Sequence, residues 1–301
     1  MAVRGYALRA AELAGAVAGL ATAVLLLVAG CALLGVAAAG GGGAVVAIVL
    51  AAVLVAGVFA GCERMALSAM LARPVSEVEH PELYRLVREL SRDGRLPVPR
   101  LYVSPAEQPN SFAVGRGPRS AAICCTEGLL RVLDEAELRG VLGHEIAHVS
   151  GHDLPGSSLS AGLATVITFP ASLARFARRG SADSAGLKGS GLGPLEHALM
   201  LVFGPVAAVI VRLAVSQERE YRADAAGALL SGDPVALAGA LRKIDAGTAE
   251  LALAPDGRRV SVGHLMIASP FRPEGLARLF STHPPAGERV RRLEALAGYR
   301  R

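Results

Sequence analysis

Residues 134–149 of this 301-residue chain read DEAELRGVLGHEIAHV. Asp134 and Glu137 form a D-x-x-E capping box, which predicts the start of a helix that continues through the apolar residues after it. His144 and His148 are four residues apart, so both imidazoles leave one face of that helix, about 6 Å apart along its axis. One zinc ion could therefore bind both rings.

Glu145 follows the first of these histidines, where its carboxylate could reach an activated water molecule without being a metal ligand. The apolar neighbours predict that this helix is buried: Val141, Leu142, Ile146 and Val149. Because unpaired buried imidazoles are costly, this context favours a zinc site over a surface helix with two solvated histidines.

A catalytic zinc ion usually has three protein ligands and one open position. His152 is the nearer candidate for the third ligand, but it would lie about 12 Å along the helix axis from His144, and Gly151 weakens the helix before it. Glu220 is the remote candidate, on a second predicted helix at residues 216–230. Spacing alone leaves both candidates open.

The composition indicates membrane segments, since 52% of the residues are hydrophobic, only 19% are charged and the mean hydropathy is +0.44. Residues 13–39 and 44–61 carry no charge, and about 20 apolar residues cross a bilayer as a helix. The glycines at 40–43 separate the two runs. We predict a transmembrane helical hairpin over residues 1–63 and a catalytic domain over residues 64–301.

Charges near the hairpin predict its orientation. Arg4 and Arg9 precede it, Arg64 and Arg73 follow it, and the loop between its helices has no basic residue. The positive-inside rule therefore predicts a multi-pass protein of the cell (inner) membrane with a cytoplasmic catalytic domain. A cleaved signal peptide is the alternative, with an AAA cleavage site at 37–39, but the first apolar run is much longer than a signal core.

Two weaker apolar stretches follow at residues 157–174 and 195–211. If both crossed the membrane, the basic connection between them would lie outside, against the positive-inside rule. We favour a membrane-dipping or interfacial pair, and we leave full spans and a buried core hairpin open.

The remaining pattern predicts an α+β fold that is mainly helical and zincin-like, with a small β-sheet. We expect strands at 100–104, 110–114 and 120–125, the last two forming a hairpin with a four-residue loop, and helices at 81–90, 234–244 and 285–296. Cys124 and Cys125 are adjacent and should face opposite sides of their strand. With four cysteines and no CxxC pair, reduced structural thiols are expected.

The net charge of +5 does not indicate nucleic-acid binding. Basic residues are scattered, and no basic stretch is interleaved with aromatic residues. We expect polypeptides and the lipid bilayer as partners instead.

An ordered set of motifs resembles the HtpX-type membrane zinc metallopeptidases, a gluzincin group that includes the CAAX prenyl proteases. The matching segments are NSFAVG (110–115), TEGLL (126–130), HEIAHV (144–149), EYRAD (220–224) and THPP (282–285) with ER at 288–289. The resemblance implies that His144, His148 and Glu220 bind Zn²⁺ and that Glu145 is the general base. Asp224, on the same helix face as Glu220, could orient a ligand imidazole, or make a plain helix–helix hydrogen bond.

The resemblance also implies roles at two further places. His283 and Arg289 resemble residues that steady the charged carbonyl oxygen, although a structural role for His283 stays open. The family's edge strand would hold an extended peptide by backbone hydrogen bonds. In this chain it comprises Asn110, Ser111, Phe112 and Ala113, with Ser111 where alanine is usual.

The implied function is zinc-dependent endoproteolysis of misfolded or damaged membrane proteins on the cytoplasmic side, as quality control under stress. One alternative is a specific processing protease for a peptide or lipidated precursor. Another is a catalytically silent membrane scaffold with structural zinc, which would need a fourth protein ligand.

Overall fold

The computed structural model describes residues 33, 36–37, 41–151, 154–172, 194–214, 216–272, 274, 279–280 and 283–298. The helices within them are α1 (Gly41–Ala69), α2 (Pro81–Asp93), α3 (Glu127–Val132), α4 (Glu135–Ser150), α5 (Leu154–Ile167), α6 (Pro194–Ala214), α7 (Gln217–Ser231), α8 (Pro234–Glu250) and α9 (Ala286–Gly298). The strands are β1 (Arg73–Pro74), β2 (Arg100–Ser104), β3 (Ser111–Val114) and β4 (Ala122–Thr126). The described fold is mainly helical with a small sheet, as predicted.

The four strands form one mixed sheet in the order β1-β2-β4-β3. Strands β2 and β4 are parallel, and the other two pairs are antiparallel. The predicted antiparallel pairing of β3 with β4 is confirmed, but residues 115–121 connect them rather than four residues. Ser120 holds this longer loop, because its hydroxyl accepts from the backbone N–H of Arg116 and donates to the carbonyl of Gly117.

Hydrophobic clusters cover both faces of the sheet. Cys125 belongs to the cluster that also contains buried residues of α2, α4 and α8. Cys124 belongs to the cluster formed with the end of α1 and with α6. The prediction that these cysteines face opposite sides is therefore confirmed, and both are free thiols.

Helix α4 begins as its sequence predicts. The Asp134 side chain accepts from the backbone N–H of Glu137 at 2.9 Å, and the Glu137 side chain accepts from the backbone N–H of Asp134 at 3.0 Å. The helix ends at Ser150. Pro155 lies in the first turn of α5, where a missing backbone N–H leaves no helical hydrogen bond unmade.

Two described helices are long and apolar enough to cross a membrane: α1, and residues 195–212 of α6. Much of α1 before Val55 is exposed, whereas Cys62 and Ala66 near its end are buried in the protein. Helix α6 buries one face and exposes the apolar side chains of Leu201, Val202, Val206 and Val209. Exposed apolar helix faces of this kind need an apolar environment to cover them.

The structure describes only some residues of the other predicted membrane segments. Residues 13–39 of the predicted hairpin lie almost entirely outside the described residues, as do the last two residues of the stretch at 157–174 and residues 175–193 of the connection to the stretch at 195–211. The weaker stretch at 157–174 contributes to α5, whose 14 residues are fewer than a helical span requires. Helix α5 packs against α1 and α6 through a small cluster of Val58, Leu163 and Ile210.

Candidate metal centre

Helices α4 and α7 bring three candidate metal ligands together. The Nε2 atoms of His144 and His148 are 3.1 Å apart. One carboxylate oxygen of Glu220 lies 3.8 Å from His144 Nε2, and the other lies 3.7 Å from His148 Nε2. All three side chains are largely buried, with exposed fractions of 1%, 13% and 4% for His144, His148 and Glu220.

These separations suit a shared metal ion. Ligand atoms about 2.1 Å from a tetrahedral zinc ion are about 3.4 Å from one another; here one ligand atom from each residue lies within 4.8 Å of the others, and the two Nε2 atoms are 3.1 Å apart. Within the described part of the chain, the group has three members, His144, His148 and Glu220. Three protein ligands are typical of a catalytic zinc site. The alternative ligand His152 lies outside the described residues.

Two glycines set the distance between the helices that carry these ligands. A Cβ atom on Gly227 of α7 would lie 2.6 Å from the backbone nitrogen of His144, and one on Gly143 of α4 would lie 2.8 Å from the Gly227 carbonyl oxygen. Because the side chain of glycine is a single hydrogen atom, α4 and α7 can approach each other this closely. This approach brings Glu220 and Asp224 over His144. Sequence analysis missed this pair, although a glycine within the predicted helix, directly before His144, was a usable signal.

Asp224 orients the first histidine. Its Oδ1 lies 2.9 Å from His144 Nδ1. Because a carboxylate only accepts hydrogen bonds, Nδ1 carries the proton and the lone pair of Nε2 faces Glu220 and His148, as a metal ligand requires. Burial alone would raise the pKa of Asp224, but the charge and hydrogen bonds of Arg289 hold it well below its usual range.

Arg289 makes three hydrogen bonds within the protein. Its Nη2 and Nε donate to the two carboxylate oxygens of Asp224, each at 2.7 Å, and its Nη1 donates to the carbonyl of Ile267. Three of its five N–H donors are used in this way, and the expectation that Arg289 also contacts the charged carbonyl oxygen stays a prediction. The described geometry makes it a residue that fixes Asp224.

Replacing Asp224 by asparagine should weaken zinc binding about 10–100-fold, the usual effect of losing a carboxylate behind a ligand histidine. The amide cannot supply the negative charge that holds both His144 Nδ1–H and Arg289. Competition with a chromophoric chelator measures the affinity. Asp245→Asn, on the exposed surface of α8, is the matched control. Equal affinities for the two variants would contradict an orienting role.

Glu145 is buried beside this group. Its Oε1 accepts a hydrogen bond from the Ser111 hydroxyl at 2.6 Å, while its Oε2 is buried and has no hydrogen-bond partner among the described residues. Burial raises the pKa of the Glu145 carboxyl despite the nearby His144 and His148. Burial would also raise the pKa of Glu220, but His148, His283, His144 and Arg289 together lower it to about 2. Glu220 is therefore an anion, as a metal ligand should be.

His283 lies close enough to interact electrostatically with Glu220 and His144. Both of its ring nitrogens are buried, and neither has a hydrogen-bond partner in the described structure. Burial is the main cause that lowers its pKa, to about 4. His283 is therefore neutral near pH 7, and its ring also interacts with the backbone of Met266, which acts to raise the pKa.

The predicted peptide-binding strand is paired on both sides. Strand β3 pairs with β4, and on its other side Phe112 is opposite Met266 in an antiparallel bridge. Ile267 N–H donates to the carbonyl of Ser111 at 2.9 Å, and the Asn110 side chain donates to the carbonyl of Ala268 at 3.0 Å. Ala113 is also buried. Residues 266–268 therefore lie against the start of the outer edge of β3, and the peptide-binding role of this strand stays a prediction.

Comparisons with known proteins agree with this centre. Residues 77–297 match the family model described as peptidase family M48. A protease HtpX homolog of Kineococcus radiotolerans is 56% identical over 238 residues, which cover 79% of this chain and 80% of the relative. Homologs of the same description from Paenarthrobacter aurescens and Bifidobacterium longum are 48% and 45% identical, over 78% and 80% of this chain and 79% and 78% of the relatives.

The resemblance read from the ordered motifs is therefore confirmed, and so are the helical α+β fold and the enzyme class. A metallopeptidase acts on polypeptides, and the apolar helices α1 and α6 accord with a membrane protein. The chain belongs to peptidase family M48, as a membrane-associated metallopeptidase of the HtpX type.

Proposed function

We propose that this protein is a zinc-dependent endopeptidase whose ligands are His144, His148 and Glu220. The observation that carries the proposal is their convergence, with one ligand atom from each residue within 4.8 Å of the others, beside a buried carboxylate, Glu145, that has one oxygen without a hydrogen-bond partner among the described residues. A structural zinc site would need a fourth protein ligand, and no such residue joins the group within the described ranges. This favours catalysis over a silent scaffold.

Zinc in this site would supply Lewis acidity toward water and the peptide carbonyl. Glu145 would take the proton of the attacking water through Oε2 and later give it to the leaving amine. Its raised pKa suits a group that both accepts and returns a proton. The N–H of neutral His283 would donate to the carbonyl oxygen as negative charge develops there. Asp224 and Arg289 would hold His144 in one tautomer.

We further propose that the substrates are misfolded or damaged membrane proteins, cleaved on the cytoplasmic side of the cell (inner) membrane as quality control under stress. The exposed apolar faces of α1 and α6 support a site held near the bilayer surface. The arginines that flank the predicted hairpin over residues 1–63 support a cytoplasmic catalytic domain over residues 64–301.

Metal removal tests the proposal directly. Purified protein in detergent should cleave an unfolded casein-like substrate, and a zinc chelator should abolish cleavage until zinc is restored. His148→Ala should lose stoichiometric zinc, since two ligands hold the ion far less well than three. His80→Ala, at the start of α2, is a histidine control away from the site. Cleavage that survives chelation, or full zinc content in His148→Ala, would refute the ligand scheme.

A further inference from the structure

Ser111 contacts the proposed general base, Glu145. This contact was not among the roles expected for Ser111. It is the first residue of β3 and is fully buried. Its hydroxyl donates to Glu145 Oε1 at 2.6 Å, a short charge-assisted hydrogen bond. The resemblance placed Ser111 among substrate-binding residues, whereas its hydroxyl is directed at Glu145.

The backbone of Ser111 is fixed on both sides of this contact. Its N–H donates to the side-chain oxygen of Asn110 at 3.1 Å, and its carbonyl accepts from the N–H of Ile267 at 2.9 Å. The hydroxyl oxygen is only two bonds from the Cα atom of a backbone that is held in the sheet. Glu145 lies on α4, which packs against β3, so the hydrogen bond joins two rigid elements.

We propose that Ser111 is a positioning residue for Glu145, and the inference rests on the proposed function. The terminal torsion of a glutamate is broad and roughly twofold, so the carboxylate has no strong orientation of its own. The Ser111 hydroxyl donates a hydrogen bond to Oε1 of Glu145 and thereby fixes the plane of the carboxylate. Oε2, which has no partner in the described structure, is left to exchange protons with the substrate and water.

Loss of this hydroxyl should lower kcat rather than raise KM, because orientation of the base matters in the proton-transfer step and not in substrate binding. We expect Ser111→Ala to lower kcat about fivefold, with KM within about twofold of wild type and zinc content unchanged. Ser111→Thr keeps the donor and should retain kcat within about twofold of wild type.

Ser158→Ala is the matched control. Ser158 is also a fully buried serine beside β3, but its hydroxyl accepts from the backbone N–H of Gly115 instead of contacting Glu145. Its removal should leave kcat unchanged. If kcat in Ser111→Ala equals that in Ser158→Ala, or exceeds wild type, the proposal fails. It fails equally if Ser111→Thr melts at the wild-type temperature yet is as slow as Ser111→Ala.

An infrared spectrum of the metal-free protein tests the contact without any activity. The carboxylate band of Glu145 is the one that disappears in Glu145→Gln. It should shift in Ser111→Ala and stay in place in Ser158→Ala; an unshifted band overturns the proposal. Because this result needs neither zinc nor substrate, failure of the positioning role is distinguishable from failure of the peptidase assignment.

Discussion

Glu145→Gln should reduce peptide cleavage about 10³-fold, within the 10²–10⁴-fold range of general acid–base catalysis, while zinc stays bound. The amide cannot take a proton from water, but His144, His148 and Glu220 keep their positions because Glu145 is not one of the three grouped ligands. At about 1.36 kcal/mol for each factor of ten, the loss corresponds to about 4 kcal/mol of transition-state stabilisation. Single-turnover cleavage of an unfolded protein, together with zinc analysis, measures both quantities.

Glu135→Gln provides the control for this change. Glu135 is on the same helix, and its side chain is 56% exposed and paired with Arg85 at the surface. Its replacement should leave cleavage within about twofold of wild type, since surface ion pairs contribute little. Wild-type turnover by Glu145→Gln would end its assignment as the base. Loss of zinc from that variant would instead make Glu145 part of the metal site.

Gly227→Ala should disrupt the metal site although no metal ligand is replaced. The new Cβ would lie 2.6 Å from the backbone nitrogen of His144, so α4 and α7 must separate by about 0.8 Å to reach ordinary contact at 3.4 Å. Metal ligands tolerate displacements of only about 0.2 Å. We expect zinc affinity to fall at least about 10-fold and the free energy of unfolding to fall by about 1–3 kcal/mol.

Gly156→Ala distinguishes this clash from the general effect of alanine in a helix. Gly156 lies in α5, and a Cβ there would meet no atom within 4 Å. Alanine should be neutral or stabilising by about 0.5–1 kcal/mol at that position. Thermal unfolding and zinc titration of both variants give the comparison. Unchanged zinc affinity in Gly227→Ala would show that the Gly143–Gly227 contact does not set the ligand geometry.

The local signals in the sequence predicted the elements that carry the site. The capping box at Asp134 and the spacing of His144 and His148 depend on neighbours within a few residues, and both predicted α4 correctly. The strand at Arg100–Ser104 was predicted with its observed bounds, because alternation of buried side chains is also local. The loop between β3 and β4 was predicted less well, since its hydrogen bonds from Ser120 have no periodic pattern.

By itself, therefore, the sequence determined the helix of the paired histidines, the mixed composition of helices and strands, and, through its ordered motifs, the family. Only the tertiary structure decided how Glu220 meets the histidines, how Arg289 engages Asp224, and why Ser111 contacts Glu145. The physical reason is distance along the chain: these partners are separated by 34 to 76 residues. The meeting of Glu220 with the histidines depends on helix packing at Gly143 and Gly227, which no local periodicity encodes.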